Sequence, residues 1–164
     1  MGLKLFAGVI SEQTGIRSVL IKSDIEDLTE LPITNTWANS FSWGEGGLKV
    51  LELAHALLRY LYDFEGRSEE AVVQSELICL SELIDYFRDN EEWRMSFDDF
   101  RDFYGAMKEY IDEVRNGDVF MAQYKKPFMM EKFANILKES YVKLQEEETS
   151  EVERPGKIIT PSKL

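Results

Sequence analysis

The sequence predicts an α+β fold: a small N-terminal antiparallel β-hairpin or sheet packed on a mainly helical bundle of about four helices. Three observations carry this. Residues up to Lys22 show a period of two, apolar residues recur every three to four positions after Gly47, and the two regimes meet at Gly44, Gly46 and Gly47. A period of two belongs to strands, whose side chains alternate between faces, whereas a spacing of three and four draws one face of a helix.

The β part comes first. Leu3, Leu5, Ala7 and Val9 alternate with Lys4, Phe6 and Gly8, and Ser11–Gly15 supplies turn residues. The β-branched, apolar Ser18–Lys22 then returns as the second arm of a hairpin. The acidic stretch Ser23–Glu30 predicts a short turn of helix. Leu31-Pro32-Ile33-Thr34 predicts an extended path, because proline fixes its own φ and biases the preceding residue away from helix. A third short strand is expected through Phe41–Trp43.

Four helical stretches follow. In the first, Leu48–Phe64, polar residues sit only at Lys49, Glu52, His55, Arg59 and Asp63, a narrow stripe on an otherwise apolar cylinder, so burial on most sides is expected. The second is expected to start after Gly66-Arg67-Ser68, with Ser68 as N-cap, and to run to about Asn90, burying Val73, Leu77, Leu80, Ile84 and Phe87. Ser96 and Asp99 have the spacing of a capping box for a third helix, whose stripe is Phe97, Phe100, Tyr104, Met107, Ile111 and Val114. Asn116-Gly117 marks a turn. A fourth helix after Pro127 carries Met130, Phe133, Leu137, Tyr141 and Leu144 on one face. Residues 1–146 are thus expected as one domain, with a β-rich part at 1–46 and a helical part at 47–146. The acidic, then proline-containing stretch 147–164 is expected as a mobile tail.

Composition narrows the function classes. The 164 residues, 44% apolar and 12% aromatic, suffice for a hydrophobic core. A formal net charge of −12 opposes binding to phosphate backbones and anionic membranes and favours basic surfaces. No signal peptide or membrane span is expected, since charged residues interrupt every apolar run. The single cysteine, Cys79, excludes an internal disulfide and suits a reducing cytoplasm.

Phe41-x-Trp43-Gly44-x-Gly46-Gly47, followed by Leu53-Ala54-x-Ala56-Leu57-Leu58, resembles the hallmark of an uncharacterised family of small bacterial and phage proteins. Its members read Phe-x-Trp-Gly-Tyr-Gly-Gly-x-Gly-Pro before a Leu-Ala-x-Ala-Leu-Leu helix. The opening hairpin, Leu31-Pro32, Trp93-Arg94-Met95-Ser96 and Asp99 fall in family-like order, so the likeness covers about Leu3 to Gly105. This chain departs from the pattern at Glu45, where tyrosine is usual, and at Lys49-Val50, where Gly-Pro is usual. Residues from Val119 to Leu164 look like an addition. The resemblance implies a small α+β fold and a phage or mobile-element setting, and no assigned activity.

Candidate sites are weighed against plainer roles. A glycine-rich turn entering a helix can hold an anion on free N–H groups. Glu45 inside it and the lack of Gly-Lys-Ser/Thr favour a structural role, with Trp37, Phe41, Trp43, Gly44, Gly46 and Gly47 as a ligand loop in the alternative. Glu52 and His55 have the one-turn spacing of a metal-ligand pair, but a di-metal site needs two such pairs. With one histidine in the chain they are expected on a solvated stripe or its rim, with no metal and no cofactor. Cys79 reads as a small hydrophobe, Ser-His-Asp has no positioned base in His55, and abundant carboxylates pair by chance, so no catalytic set is expected and the protein is not expected to be an enzyme.

The carboxylates Asp85, Asp89, Glu91, Glu92, Asp98, Asp99 and Asp102 are expected as an acidic face for a protein partner with a basic surface, without direct nucleic-acid or membrane binding. The functional expectation is an acidic interaction protein of a phage or mobile element, acting in the host cytoplasm. Its target would be a host protein, such as a nucleic-acid-binding defence system of the CRISPR–Cas kind. A small-ligand module built on the Trp/Gly loop and a structural phage component are the alternatives. A face that only keeps the protein soluble is the plainer reading of the same charges.

Overall fold

The computed structural model describes residues 4–23, 28–35, 38–117 and 130–146, the last apart from 133, 142 and 145. The fold is α+β. Strands β1 (Lys4–Ile10) and β2 (Arg17–Ser23) form the expected hairpin, with Phe6 opposite Ile21 and Ile10 opposite Arg17. Two further antiparallel strands flank it: β3 (Thr29–Glu30) beside β2, and β4 (Trp93–Ser96) beside β1, giving the order β3-β2-β1-β4. Helices α1 (Leu48–Phe64), α2 (Gln74–Ile84), α3 (Phe97–Arg115) and α4 (residues 130–146) complete the described chain. None of the described helices is long and apolar enough to cross a membrane.

The register assigns the two sheet faces. Phe6, Gly8, Val19, Ile21, Trp93 and Met95 share the face that meets the helices, since their strand partners lie directly opposite one another. Phe6 makes edge-to-face contacts with Tyr60 of α1 and with Phe97 and Phe100 of α3. Around this face Leu53, Leu58, Leu61, Leu80, Leu83 and Trp43 are fully buried, so sheet, α1, α2 and α3 share one core.

Several boundaries differ from the sequence expectation. Residues 41–43 form no strand. Phe41, Ser42 and Trp43 are all buried, so the two-sided alternation of a strand is absent, and their backbone serves contacts outside the sheet. The edge strands come instead from Thr29–Glu30, where an acidic helical turn was expected, and from Trp93–Ser96. Helix α2 begins at Gln74, not after Ser68. Arg59 of α1 donates to the carbonyls of Arg67 and Glu70, which diverts acceptors that a first helical turn would need. It ends at Ile84, not near Asn90, because the Ile84 carbonyl accepts from both Phe87 N–H and Gly44 N–H and Asn90 takes a positive φ of 62°. Val114, expected on the buried stripe of α3, is exposed, while Phe103 is buried.

Other expectations match. Ser96 caps α3, its Oγ accepting from Asp99 N–H at 3.0 Å, with Asp98 and Asp99 in the first turn facing the positive end of the helix dipole. Helix α4 buries Leu137 and Tyr141, and Ser140 Oγ accepts from the outward-facing Arg94 N–H at 2.7 Å. This blunts an otherwise open β4 edge. The acidic stretch at 24–27, Trp37, Phe133 and the tail 147–164 lie outside the described residues.

Candidate functional site

Trp43 anchors the aromatic-glycine stretch in the core. Its ring is fully buried, stands edge-on to Trp93 at 5.7 Å between centroids, and its Nε1–H donates to Glu91 O at 2.9 Å. Burial of so large a side chain fixes the loop, and the paired Nε1–H avoids the cost of an unsatisfied buried donor. Gly44 follows with φ +84°, and a Cβ there would lie 2.6 Å from the Asp89 backbone. The glycine therefore answers two needs at once: a left-handed turn and close approach of another backbone.

Arg17, at the start of β2, joins this loop to the acidic segment. Its guanidinium donates to Ser42 Oγ (3.2 Å), Trp43 O (2.7 Å), Asp89 Oδ1 (2.6 Å) and Asn90 Oδ1 (2.9 Å), and its carbon lies 5.1 Å from the Trp43 ring centroid. One planar fork thus ties the hairpin, the aromatic loop and the turn after α2. Sequence inspection did not single out Arg17. The available signal was a cation at the start of a strand whose middle, Val19–Ile21, is apolar.

The structure brings part of the acidic set to this loop and leaves the rest elsewhere. Asp85, at the C-terminal cap of α2, is exposed and lies beside Gly46, at the N-terminal end of α1. Asp89 is engaged by Arg17. Glu91 makes a loose ion pair with Arg88 at 3.7 Å, and Glu92 Oε2 accepts from Ile10 N–H at 2.8 Å. Asp98 and Asp102 instead border a groove with Leu61, Arg67 and Tyr104 beside the last turn of α1. From Leu48 to Leu61 a helix rises roughly 20 Å. The seven carboxylates therefore do not form one continuous face. They make two patches near opposite ends of α1, and three of the first four residues carry fold contacts as well as charge.

What remains open at the glycine end is a compact surface. Glu82, Asp85, Tyr86 and Met130 border a recess of about 400 Å³; Tyr86 is 67% exposed, and exposed Leu48 follows the loop at the start of α1. Partial burial, and secondarily the nearby Glu82 charge, push the Asp85 carboxyl above its ordinary range. Glu82 and Tyr86 were not among the sequence candidates. Ile78 and Glu82 on the outward face of α2, with Tyr86 four residues on in the turn after it, were the available signal.

The polar stripe of α1 is not the solvated rim expected of it. Glu52 is fully buried: Oε1 accepts from Asn35 N–H at 3.1 Å, and Oε2 has no hydrogen-bond partner among the described residues. Desolvation raises its carboxyl above the ordinary value, outweighing the lowering by the Asn35 bond. His55 is half-buried, with Nδ1 and Thr34 Oγ1 hydrogen-bonded at 2.8 Å, and burial lowers its affinity for a proton, helped by the Arg59 charge. One turn further, Arg59 holds the carbonyls of Arg67 and Glu70. The stripe is polar because it fastens the two connections that cross α1. Among the described residues no group of three His, Cys, Asp or Glu side chains could hold a metal ion.

A second buried polar cluster links the three helices. Tyr62 and Tyr104 both donate to Glu76 Oε1, at 2.5 and 2.9 Å, and Arg67 stacks 3.8 Å from the Tyr62 ring centroid. Burial pushes both phenols up, so neither is a ready nucleophile or base near neutral pH. The cluster satisfies its buried carboxylate and reads as a tie between helices. Buried Cys79 behaves as a small core residue.

Comparison of the chain with protein-family models, curated proteins and solved structures finds no match, so the likeness to the bacterial and phage family rests on the motif residues themselves.

Proposed function

We propose that this chain is a binding protein, not an enzyme, and that it engages a basic protein partner through the surface where the glycine loop meets the end of α2. The observation that carries the reading is the exposed Tyr86 with Asp85 and Glu82 around one recess, Asp85 lying beside Gly46 of the glycine loop. Aromatic anchors ringed by charge are the usual content of an energetic interface centre, and carboxylates at the rim speed encounter with a basic surface. The net charge of −12 extends that steering beyond the contact. A nucleic-acid-binding host protein, including a defence effector, is the partner class whose basic groove this surface would occupy. A phage or mobile-element origin is part of the same proposal and is supported by the motif resemblance.

The test is affinity capture from bacterial lysate, followed by measurement of the recovered partner against the wild type and against a triple variant, Glu82→Gln, Asp85→Asn and Tyr86→Ala. These side chains are exposed, so the fold should survive. The expected result is at least a tenfold loss of affinity in the variant and a marked fall in association rate between 0.1 and 1 M salt, where the screening length drops from about 10 to about 3 Å. A partner indifferent to both salt and the triple substitution overturns the reading.

A further inference from the structure

The sheet has a second face, and the last described helix ends beside it. By register Ala7 and Val9 of β1 and Leu20 and Lys22 of β2 point away from the face that packs on α1 and α3. With Leu28 they border a depression of about 430 Å³, walled on one side by Leu144 of α4. That wall is held in place: Ser140 Oγ accepts from Arg94 N–H at 2.7 Å, and Tyr141 OH accepts from Arg88 N–H at 2.9 Å. Leu144 is one turn beyond Ser140, on the same side of the helix. The bordering charges are mixed, Lys22 and Arg94 with Glu92, so the groove itself favours neither sign. What it offers is apolar surface.

We infer that residues 154–164 of the same chain fill this groove, with Ile158 and Ile159 seated among Val9, Leu20, Leu28 and Leu144. Three observations select this occupant. The described chain ends at residue 146, two positions after Leu144, so the residues that follow leave from the groove's own rim. Ile158 is twelve positions further on, a reach of up to about 40 Å, whereas three paired strands span only about 10 Å. Pro155-Gly156 lies between and is a turn signal that suits a reversal of path. Composition also changes sign along this stretch. Glu146, Glu147, Glu148, Glu151 and Glu153 give way to Arg154, Lys157 and Lys163, with no acidic side chain from 154 to 164. In a chain of net charge −12, long-range attraction draws such a cationic segment back to the body. Ile158-Ile159 is the one adjacent apolar pair beyond residue 146, and burying it against apolar side chains supplies the contact that charge alone does not.

A nitroxide attached at Ser162→Cys in the full chain tests this, read as the loss of amide NMR signals close to the spin; Cys79 is buried and stays unlabelled. The signals of Ala7, Val9 and Leu20 are expected to fall at least fivefold relative to the chemically reduced label, while those of Ser75 and Ile78 on α2 keep their intensity. Ile158→Ser with Ile159→Ser leaves every charge in place and is expected to restore the sheet signals. Leu28→Asn, at an exposed groove position, is expected to recover them at least twofold. The proposal is overturned if the sheet signals are unaffected by the label, or if their loss survives either set of substitutions. Loss centred on Glu82 and Asp85 overturns it by placing the basic segment on the acidic surface. Loss that passes from a spin-labelled chain to an isotope-labelled chain in a mixture overturns it by assigning the groove to a second copy.

Discussion

Replacing Glu52 with glutamine should stabilise this protein at neutral and alkaline pH. The carboxyl is fully buried, with Oε2 unpartnered among the described residues, and desolvation raises its proton affinity on folding. This reverses the usual acidic case. Well below the ordinary value of 4.5, folded and unfolded chains are both protonated at this position and no penalty exists. As pH rises through that value the unfolded chain ionises first, so stability falls until the folded carboxyl also ionises, and the loss then stays constant. Each unit by which the folded value exceeds the unfolded one costs about 1.4 kcal/mol. An unsatisfied buried acceptor costs about 1–3 kcal/mol, more when charged. Glutamine keeps the shape and the oxygen that accepts from Asn35 but cannot ionise. Its amide nitrogen takes the unpartnered place, so that cost remains and the gain over wild type comes from ionisation alone: near zero at pH 4, and at pH 8 set by how far folding raises the carboxyl, at about 1.4 kcal/mol per tenfold change in its proton affinity. In a chain of this size each kcal/mol of that gain raises Tm by roughly 2–4 °C. Urea unfolding of both proteins across this range gives the difference directly, and the raised carboxyl of Asp85 cancels because it is present in both. A difference that is flat with pH, or a glutamine variant less stable at pH 8, refutes the reasoning.

Two further substitutions test the loop. Gly44→Ala combines a left-handed backbone with a Cβ 2.6 Å from the Asp89 backbone, and should cost about 2–5 kcal/mol; Gly15→Ala, left-handed but with nothing within 4 Å, should cost only the strain of about 1–2 kcal/mol. Equal losses in urea unfolding would show that close approach at Gly44 is unimportant. Arg17→Lys keeps the charge but loses the planar fork over Ser42, Trp43, Asp89 and Asn90, and should cost about 2 kcal/mol. A lysine variant with unchanged Tm would mean that charge alone holds the three segments.

Much of the fold was legible in local pattern. The hairpin, α1 to both of its ends and the Ser96 cap of α3 follow from periodicity and from side chains that act within three or four residues. The edge strands were not. Trp93-Arg94-Met95-Ser96 does alternate, with Trp93 and Met95 inward, but four residues between an acidic run and a helix cap carry too little signal to separate from a loop. Its strand character comes from pairing with β1, more than 80 positions earlier, where Gly8 leaves room for the Trp93 ring. Helix α2 shows the same limit from the other side. Ser68, Glu69 and Glu70 are good starting residues, yet Arg59 claims the carbonyls of that turn from a neighbouring helix.

The polar residues were the least legible part, because polarity in sequence does not reveal which partner satisfies it. The stripe Glu52, His55, Arg59 reads as an exposed edge, and in three dimensions it is the seam along which two connections are fastened to α1. Seven carboxylates that read as one face are divided between its two ends, and Asp89, which looks like surface charge, is held by Arg17 at 2.6 Å. The division bears on how a partner could be met. Two patches roughly 20 Å apart along a helix cannot both sit at the centre of one small contact. A carboxylate already engaged in holding the fold gives an ambiguous result when removed, since lost binding and lost structure arrive together. Asp85, Glu82 and Tyr86 are exposed at the last turn of α2 and just beyond its cap, where substitution disturbs the core least. The charge count made a basic partner thinkable; the placement of three side chains makes it testable.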